Sequence, residues 1–220
     1  MDKIVVIVAG GKGERMGTDV PKQFLELRGM PILMHTINNF YSLNKDFLIR
    51  LVLPESQFEL WKSLCKKHNF TIPVEILKGG NNRFQSVTNG IANLPKNSLV
   101  AIHDGVRPLV NSTTIKNCFY AAEQFGAVIP VISPVESIRY RDKDESKPVD
   151  RSKYVLIQTP QVFKSEILSE AYNTKYQDWF TDDASVVEHA GHKIHLIEGN
   201  RENIKITSPI DLKIAEALID

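Results

Sequence analysis

Short apolar runs rich in Val, Ile and Leu alternate along this chain with longer amphipathic segments. The short runs have the length of β-strands, whereas apolar residues in the longer segments recur with the period of a helix. The pattern predicts strands at 3–8, 47–54, 74–79, 98–104, 127–132 and 193–198. It predicts helices at 31–43, 55–68, 83–94, 112–126, 164–174 and 182–190, and a last helix that begins at Ser208 and Pro209.

This alternation also predicts the fold class. Strands joined by helical crossovers pair mostly in parallel, and nearly continuous apolar strands require helices on both faces of the sheet. We therefore expect a doubly wound, Rossmann-like α/β sheet. A chain of 220 residues is large enough for one such sheet, so residues 1–220 are expected to form a single domain.

The segment 139–153 interrupts the pattern, because ten of its fifteen residues are charged and no apolar period survives. Its tip must lie in water. Apolar stretches precede and follow it, which favours an inserted arm at about 134–160 made of two extended strands. A plain solvated loop is the alternative interpretation.

The amino-acid composition limits the classes of binding partner that we expect. The 27 Lys and Arg residues nearly balance the 26 Asp and Glu residues, which leaves a net charge of +1, so we expect no nucleic-acid or membrane partner. Cys65 and Cys118 stand far apart without the spacing of metal ligands, and indicate neither a disulfide nor a zinc site. The apolar run after Lys3 is too short for a secretion signal, so a cytoplasmic location is expected.

A glycine-rich turn follows the first predicted strand. Gly10, Gly11 and Gly13 leave room for the backbone to wrap around a phosphate chain, and the N–H groups of such a turn form a site for anions. Arg15 and Lys22 add two cations. The spacing is neither that of a P-loop nor that of a dinucleotide-binding turn. We predict a nucleoside-triphosphate site, with a purely structural turn as the alternative.

Further polar residues follow later strands. Asn81, Arg83 and Ser86 open a predicted helix after a glycine pair, and a helix N-terminus favours negative charge. Asp104 and Arg107 follow the strand at 98–104, at the edge of the sheet where α/β proteins bind ligands. Ordinary helix capping is the alternative for the first group. Asp104 is a candidate to hold either a hydroxyl group or a magnesium ion, with a capping role as the alternative.

Lys205 lies in an apolar, strand-like setting between Ile204 and Ile206. Burial of a lysine there costs free energy unless its ammonium group reaches an anion, so Lys205 is a candidate phosphate contact. Extension of its side chain into solvent from an edge strand is the alternative.

Several motifs together carry a resemblance that none carries alone. They are VAGGKGERMG with PKQF, GGNNRFQSVTNG, HDGVRP, QTPQ, TDDA and NIKITSPIDL, in this order and across nearly the whole chain. In these motifs the chain resembles the 2-C-methyl-D-erythritol 4-phosphate cytidylyltransferases. The resemblance implies a CTP-dependent enzyme of isoprenoid precursor biosynthesis that joins CMP to a phosphorylated polyol and releases pyrophosphate. It also implies Mg2+ bound mainly through the CTP phosphates, with no protein metal site.

The same resemblance implies roles for particular residues. Arg15 and Lys22 match the cations that stabilise the five-coordinate α-phosphorus, and Arg151 and Lys205 match the groups that position the substrate phosphate. The other matched positions are implied to bind substrate: Ala9, Gly10, Gly11, Gly13, Gly80, Asn81, Arg83, Ser86, Asp104, Arg107, Ser137, Thr159 and Thr181.

Among these matched positions, Gly80, Arg83 and Ser86 fall in the segment that the family uses to bind cytosine and ribose. Asp104 and Arg107 fall at the strand end that faces the polyol. Thr159 and Thr181 match hydroxyls near the substrate phosphate. The family resemblance further implies a homodimer that exchanges arms, so that Arg151 reaches the site of the neighbouring subunit.

The chain departs from the family pattern at three points. Ser137 replaces a threonine, Glu136 replaces an aspartate, and HDGVRP stands where HDAARP is usual. The valine in HDGVRP also resembles the related ribitol-5-phosphate cytidylyltransferases. Cytidylylation of ribitol 5-phosphate, and a nucleotide-binding regulatory module without catalysis, therefore remain as alternative functions.

Overall fold

The computed structural model describes residues 1–10 and 20–219 of the chain. The strands are β1 (Asp2–Val8), β2 (Glu26–Leu27), β3 (Met30–Pro31), β4 (Leu48–Leu53), β5 (Glu75–Lys78), β6 (Ser98–Asp104), β7 (Ala127–Ile132), β8 (Arg139–Asp142), β9 (Glu145–Pro148), β10 (Leu156–Ile157), β11 (Gln161–Lys164) and β12 (His195–Glu198). The helices are α1 (Ile32–Leu43), α2 (Phe58–Lys67), α3 (Arg83–Gly90), α4 (Ser112–Phe125), α5 (Ser165–Ala171), α6 (Asp183–His189) and α7 (Pro209–Leu218).

The central sheet confirms the predicted fold class. Its strand order is β10-β7-β11-β6-β1-β4-β5, and β12 also pairs with β7. The pairs β1–β4, β1–β6, β4–β5 and β7–β12 are parallel. Strand β11, which the apolar pattern did not separate from the arm, lies antiparallel between β6 and β7.

Side chains of β1 show why both faces of the sheet need helices. Val5 and Ile7 lie in a core cluster beneath α1, α2 and α4, whereas Ile4 and Val6 lie in a second cluster beneath α3, α5 and α6. Successive residues of a strand point to opposite faces, so one apolar run supplies both clusters.

Helix α3 ends at Gly90, although the pattern predicted a helix to residue 94. The guanidinium of Arg50 donates to the Gly90 carbonyl (3.0 Å) and the Ala92 carbonyl (2.8 Å), which satisfies acceptors at the helix end. Gly90 also approaches β1 so closely that a Cβ atom there would lie 2.5 Å from Val6 Cγ1. Helix α7 begins at Pro209 after Ser208, as predicted.

The charged segment forms a hairpin rather than a plain loop. Strands β8 and β9 pair antiparallel, and all eight of their residues are exposed. The chain then returns through β10, which pairs antiparallel with the end of β7. The residue range 134–160, which we call the arm, therefore projects from the edge of the sheet. That residues 1–220 form a single domain stays a prediction.

Within the described residues, no helix is long and apolar enough to cross a membrane.

Candidate active site

Two adjoining cavities open where the parallel strands β1, β4 and β6 end, and they share Arg83, Asp104 and Lys205. We call the first the nucleotide cavity, with the lining residues Val8, Ala9, Gly10, Lys22, Gln23, Pro54, Ser56, Gln57, Gly80, Asn81, Asn82, Arg83, Ser86, Asp104, Val106 and Lys205. The second, the polyol cavity, is lined by Arg83, Asp104, Arg107, Ile157, Gln158, Thr159, Gln161, Thr181, Asp182 and Lys205.

Asp104 is a buried carboxylate at the last position of β6, and two cations hold it. Its Oδ2 accepts from Arg107 Nε at 3.0 Å and lies 3.1 Å from Lys205 Nζ. Burial alone would raise the pKa of Asp104, but the charges of Lys205, Arg83 and Arg107 hold it well below its usual range. Asp104 is therefore ionised at neutral pH.

Lys205 and Arg107 reach Asp104 from different parts of the chain. Lys205 follows β12 and lies outside any strand, so the predicted strand-like setting is wrong, although its ammonium group does reach an anion. Arg107 also donates to the Asn203 carbonyl at 2.8 Å. Asn203, in turn, donates through Nδ2 to the Thr159 carbonyl at 2.8 Å, which links β6, the start of β11 and the segment before α7.

Arg83 is fixed by a residue that the sequence motifs did not single out. Its guanidinium donates two hydrogen bonds to Asp183, at 2.7 and 2.6 Å, and Tyr172 Oη donates to the same carboxylate at 2.6 Å. Burial disfavours the charged guanidinium, but Asp183 outweighs it and raises the pKa of Arg83. Arg83 thus joins the start of α3 to the start of α6.

Ser86 and Gly80 are coupled within the loop before α3. Gly80 N donates to Ser86 Oγ at 3.0 Å, and Ser86 Oγ donates to the Asn82 carbonyl at 2.8 Å. Because that hydroxyl proton is already used, Ser86 shapes the loop rather than donating to a ligand. A Cβ atom at Gly80 would lie 2.3 Å from Gln85 Cγ, so the bend requires glycine. Asn81 lies in the same loop and lines the nucleotide cavity.

The end of β1 forms the wall of the nucleotide cavity that faces the loop before α3. Ala9 N donates to the Val52 carbonyl at 3.0 Å, and Gln23 Nε2 donates to the Ala9 carbonyl at 2.8 Å. Gln23 is buried and was not among the predicted site residues, although its place directly after Lys22 in PKQF is a signal that could have found it. The predicted phosphate-binding residues Gly11, Gly13 and Arg15 lie outside the described residues.

Thr159 and Thr181 line the polyol cavity, and their implied place near the substrate phosphate stays a prediction. Thr159 is buried, and its Oγ1 accepts from Asp104 N at 3.1 Å and lies 3.0 Å from His103 Nδ1. Two glutamines of the QTPQ motif support this wall: Gln161 Nε2 donates to Asp182 at 2.8 Å and Gln158 Nε2 donates to the Asn200 carbonyl at 2.9 Å.

Arg151 and Ser137 are not brought to these cavities by their own chain. Both lie exposed on the arm, where Arg151 donates to the carbonyl of Val135. Neither residue lines the nucleotide cavity or the polyol cavity. Their predicted role in the site stays a prediction.

The described residues contain no group of three or more His, Cys, Asp or Glu side chains that could hold a metal ion. Asp104, the carboxylate at the centre, is already engaged by Arg107 and Lys205. A metal ion held mainly by phosphates of a ligand fits this arrangement better than one held by a cage of side chains.

A doubly wound sheet with cation-lined cavities at the carboxyl ends of its strands defines an α/β enzyme that acts on phosphorylated, nucleotide-type substrates. Comparison with known proteins narrows this class. The family model of the 2-C-methyl-D-erythritol 4-phosphate cytidylyltransferases, described as IspD, matches residues 3–220. The chain belongs to this family and is a nucleotidyltransferase.

Individual relatives agree with this assignment over the full length of the chain. It is 53% identical over 219 residues to the 2-C-methyl-D-erythritol 4-phosphate cytidylyltransferase of Phocaeicola vulgatus, with 100% of both chains covered. It is 51% identical over 218 residues to that of Porphyromonas gingivalis, covering 99% of this chain and 97% of the relative.

Solved structures of relatives share the fold. The crystal structure of 2-C-methyl-D-erythritol 4-phosphate cytidylyltransferase from Thermus thermophilus superposes with a TM-score of 0.80 at 28% identity, covering 99% of this chain and 98% of that one. The 4-diphosphocytidyl-2C-methyl-D-erythritol synthase from Anaerococcus prevotii gives a TM-score of 0.83 at 25% identity, with coverage of 99% and 95%.

Proposed function

We propose that this chain transfers CMP from CTP to 2-C-methyl-D-erythritol 4-phosphate, in isoprenoid precursor biosynthesis. An oxygen of the substrate phosphate attacks the α-phosphorus of CTP. The new P–O bond gives 4-diphosphocytidyl-2-C-methyl-D-erythritol, and the bond from the α-phosphorus to the bridging oxygen breaks, so that pyrophosphate leaves with the electron pair. The nucleophilic oxygen is already deprotonated at neutral pH, so the reaction needs neither a general base nor a covalent intermediate.

The observation that carries this proposal is the full-length family match together with the position of the two cavities. They meet at Arg83, Asp104 and Lys205, so that a nucleotide in one cavity adjoins a phosphorylated acceptor in the other. Two polyanions that react must be held together against their mutual repulsion, and fixed cations achieve this without reorganisation during the reaction.

Within this arrangement, Lys22 and Arg15 stabilise the charge on the α-phosphorus. Lys22 lines the nucleotide cavity beside the end of β1, where Ala9 and Gly10 leave the backbone accessible. Gly80 and Asn81 frame the opposite wall, where the cytosine edge meets backbone groups. Lys205 serves the substrate phosphate from the boundary between the two cavities.

Mg2+ is proposed as the cofactor, bound through the CTP phosphates. When bound, it neutralises phosphate charge and so favours attack on the α-phosphorus. The residues near it contribute by position: Asp104 holds Lys205 and Arg107 in place through contacts of 3.1 and 3.0 Å, so that both cations are fixed before the substrates arrive.

The departure from HDAARP to HDGVRP concerns packing. Val106 is 5% exposed and belongs to a core cluster with Leu27, Ile32, Ile206 and Ala215, while it also borders the nucleotide cavity. A Cβ atom at Gly105 would lie 2.8 Å from Ala9 Cβ, so a smaller residue beside the larger valine preserves the local volume. The relatives matched over the full length of the chain support 2-C-methyl-D-erythritol 4-phosphate as the acceptor rather than ribitol 5-phosphate.

A homodimer that exchanges arms is the proposed assembly. Val135, Tyr154, Val155, Leu156 and Ile157 are large apolar residues of the arm, and all are exposed. Such a surface in a single chain is typical of one that a partner covers. In this dimer Arg151 and Ser137 of one subunit complete the polyol cavity of the other.

A cytoplasmic location is also proposed. Both Cys65 and Cys118 are free thiols, which is typical of proteins in reducing compartments.

Release of pyrophosphate by the purified protein tests the activity. Wild-type protein should release pyrophosphate with CTP and 2-C-methyl-D-erythritol 4-phosphate, and much less with ribitol 5-phosphate in its place. UTP and ATP should also be poor substrates, because groups that pair with cytosine are left unpaired beside another base.

Faster turnover with ribitol 5-phosphate would reassign the acceptor, and equal turnover with ATP would contradict the base-specific cavity. No turnover with any pair, from folded protein that still binds CTP, would support the regulatory module instead.

A further inference from the structure

His103 is a fully buried histidine next to the candidate active site, and its two ring nitrogens face two different site segments. Nδ1 lies 3.0 Å from Thr159 Oγ1, and Nε2 lies 3.2 Å from the Arg107 carbonyl. Thr159 lines the polyol cavity, and Arg107 holds Asp104. His103 therefore bridges the turn 104–107 and the segment that leads into β11.

The partners of the two nitrogens determine where the ring proton lies. A carbonyl oxygen only accepts, so Nε2 must donate to Arg107. A neutral imidazole has one N–H, so Nδ1 is then an acceptor and the Thr159 hydroxyl donates to it. Thr159 Oγ1 simultaneously accepts from Asp104 N at 3.1 Å. The four groups form one continuous chain in which each donor has an acceptor.

The ring is held neutral by its surroundings. Burial lowers the pKa of His103 to about 4, against the opposing effect of Asp104. Arg107 and Lys205, the cations nearby, disfavour a charged ring further. On the other side of the ring, Phe40 of α1 packs edge-on with ring centroids 5.0 Å apart.

We propose that His103, as the neutral tautomer protonated on Nε2, is a positioning residue that fixes the Asp104–Arg107 turn to Thr159 and so keeps the two walls of the polyol cavity in register. The proposal rests on the function proposed above, because it assigns the fixed turn to binding of the phosphorylated acceptor. His103 itself does not line either cavity, so its effect passes through Thr159, Asp104 and Arg107.

Three variants separate positioning from a merely structural role. His103→Leu removes both ring hydrogen bonds, and His103→Asn keeps an acceptor near the position of Nδ1 for the Thr159 hydroxyl. Phe40→Leu is the matched control, because it removes packing against the same ring and leaves both hydrogen bonds. All three are compared at equal temperature for thermal unfolding, kcat and the KM of each substrate.

We expect His103→Leu to lower kcat/KM for the acceptor by about 10- to 100-fold, the scale for residues that orient a site from its outer shell. His103→Asn should recover part of this loss. Phe40→Leu should lower the melting temperature without a comparable loss of kcat/KM. If activity in all three variants simply follows the melting temperature, His103 has only a structural role and the proposal is wrong.

Nitrogen-15 NMR of histidine-labelled wild-type protein tests the tautomer without any assay of turnover. At neutral pH the His103 Nε2 signal should show a directly bonded proton and the Nδ1 signal should not. A proton on Nδ1, or on both nitrogens, would overturn the assignment. Because this result does not depend on substrates, it stands even if wild-type protein fails to turn over CTP, an outcome that would instead refute the proposed function.

Discussion

The interior of the candidate site and the arm differ sharply in how their predicted functional residues are held. Arg83, Asp104 and Lys205 each have a charged partner within about 3 Å in the same chain, and Asp104 is almost fully buried. Arg151 and Ser137 are exposed on an arm whose apolar side chains are exposed as well. The interior residues are therefore held by partners in their own chain, whereas a role of Arg151 and Ser137 in the site requires the arm-exchanged dimer proposed above.

The difference shows that only some of the predicted site residues converge within one chain. Motifs at the ends of β1 and β6 meet because these strands are neighbours in the sheet, and the segment after β12 brings Lys205 to the same place. The arm leaves that edge through β8 and β9, which pair with each other and not with the sheet. Substitutions in the two regions should accordingly have different kinds of effect.

The largest expected effect is the loss of kcat when Lys22, a cation of the nucleotide cavity, is replaced. Lys22→Met keeps the aliphatic bulk and removes one charge beside the α-phosphate, so kcat should fall by about 100-fold or more, the scale for loss of one fixed electrostatic donor. Steady-state pyrophosphate release measures this, with thermal unfolding as a check on stability. Lys62→Met, at an exposed ion pair with Glu59, is the matched control and should keep wild-type kcat. A near-normal kcat in Lys22→Met would remove Lys22 from the mechanism.

The next effect concerns stability and compares a buried carboxylate with one on the arm. Asp183→Asn removes the charge opposite Arg83. Because the Arg83 side chain is 31% exposed, solvent screens part of this interaction, and we expect the free energy of unfolding to fall by about 2–3 kcal/mol. Asp150→Asn removes the charge of an exposed carboxylate that accepts from Ser152 N on the arm, and it should cost much less unfolding free energy. Urea denaturation of both variants measures the difference, and equal losses would contradict the greater rigidity assigned to the interior.

The last expected effect is a dependence of stability on pH. Burial lowers the folded-state pKa of His103 from 6.5 to about 4, so the unfolded chain binds the proton more readily. Stability is complete above pH 6.5 and falls as the pH decreases toward 4, by at most about 1.4 kcal/mol per pH unit. The carboxyl groups with lowered pKa values lose their contribution below about pH 4.5, and the other five histidines are the same in wild-type protein and in His103→Leu. The difference in slope between these two proteins from pH 6.5 to 4.5 therefore measures the contribution of His103.

Denaturation curves at several pH values measure this slope. His103→Leu should flatten it, whereas the arm, which contains no histidine in residues 134–160, should contribute nothing in this window. An unchanged slope in His103→Leu would show that another group is responsible.

Much of the fold was predictable because local patterns determine it. The strands at 98–104 and 127–132 were predicted to the residue, since each is a continuous apolar run between clear boundaries. Strand β11 was not separated from the arm, because its antiparallel position depends on contacts with β6 and β7 that lie far away in the sequence. An extended arm was expected, but the pairing of β8 with β9 inside the charged segment was not, because its residues have no apolar period.

Part of the site was predictable because its residue types and motifs indicate contacts with anions. Asp104, Arg107 and Lys205 were expected and do meet. Asp183 was overlooked as the partner of Arg83, because the two are 100 positions apart and its motif also explains the start of α6. The hydrogen bond from Ser86 to the Asn82 carbonyl was not predicted, because no spacing rule reveals it, and the predicted contact of Ser86 with a ligand stays a prediction.

Mixing two inactive variants tests most directly whether one site combines the interior of one chain with the arm of another. After subunit exchange between Lys22→Met and Arg151→Ala chains, about half of the dimers are hybrids, and each hybrid holds one doubly substituted site and one intact site. About a quarter of wild-type pyrophosphate release should therefore return. If Arg151 serves its own chain, every hybrid site carries one substitution and the activity of the mixture stays at the level of the separate variants, which would contradict the shared site.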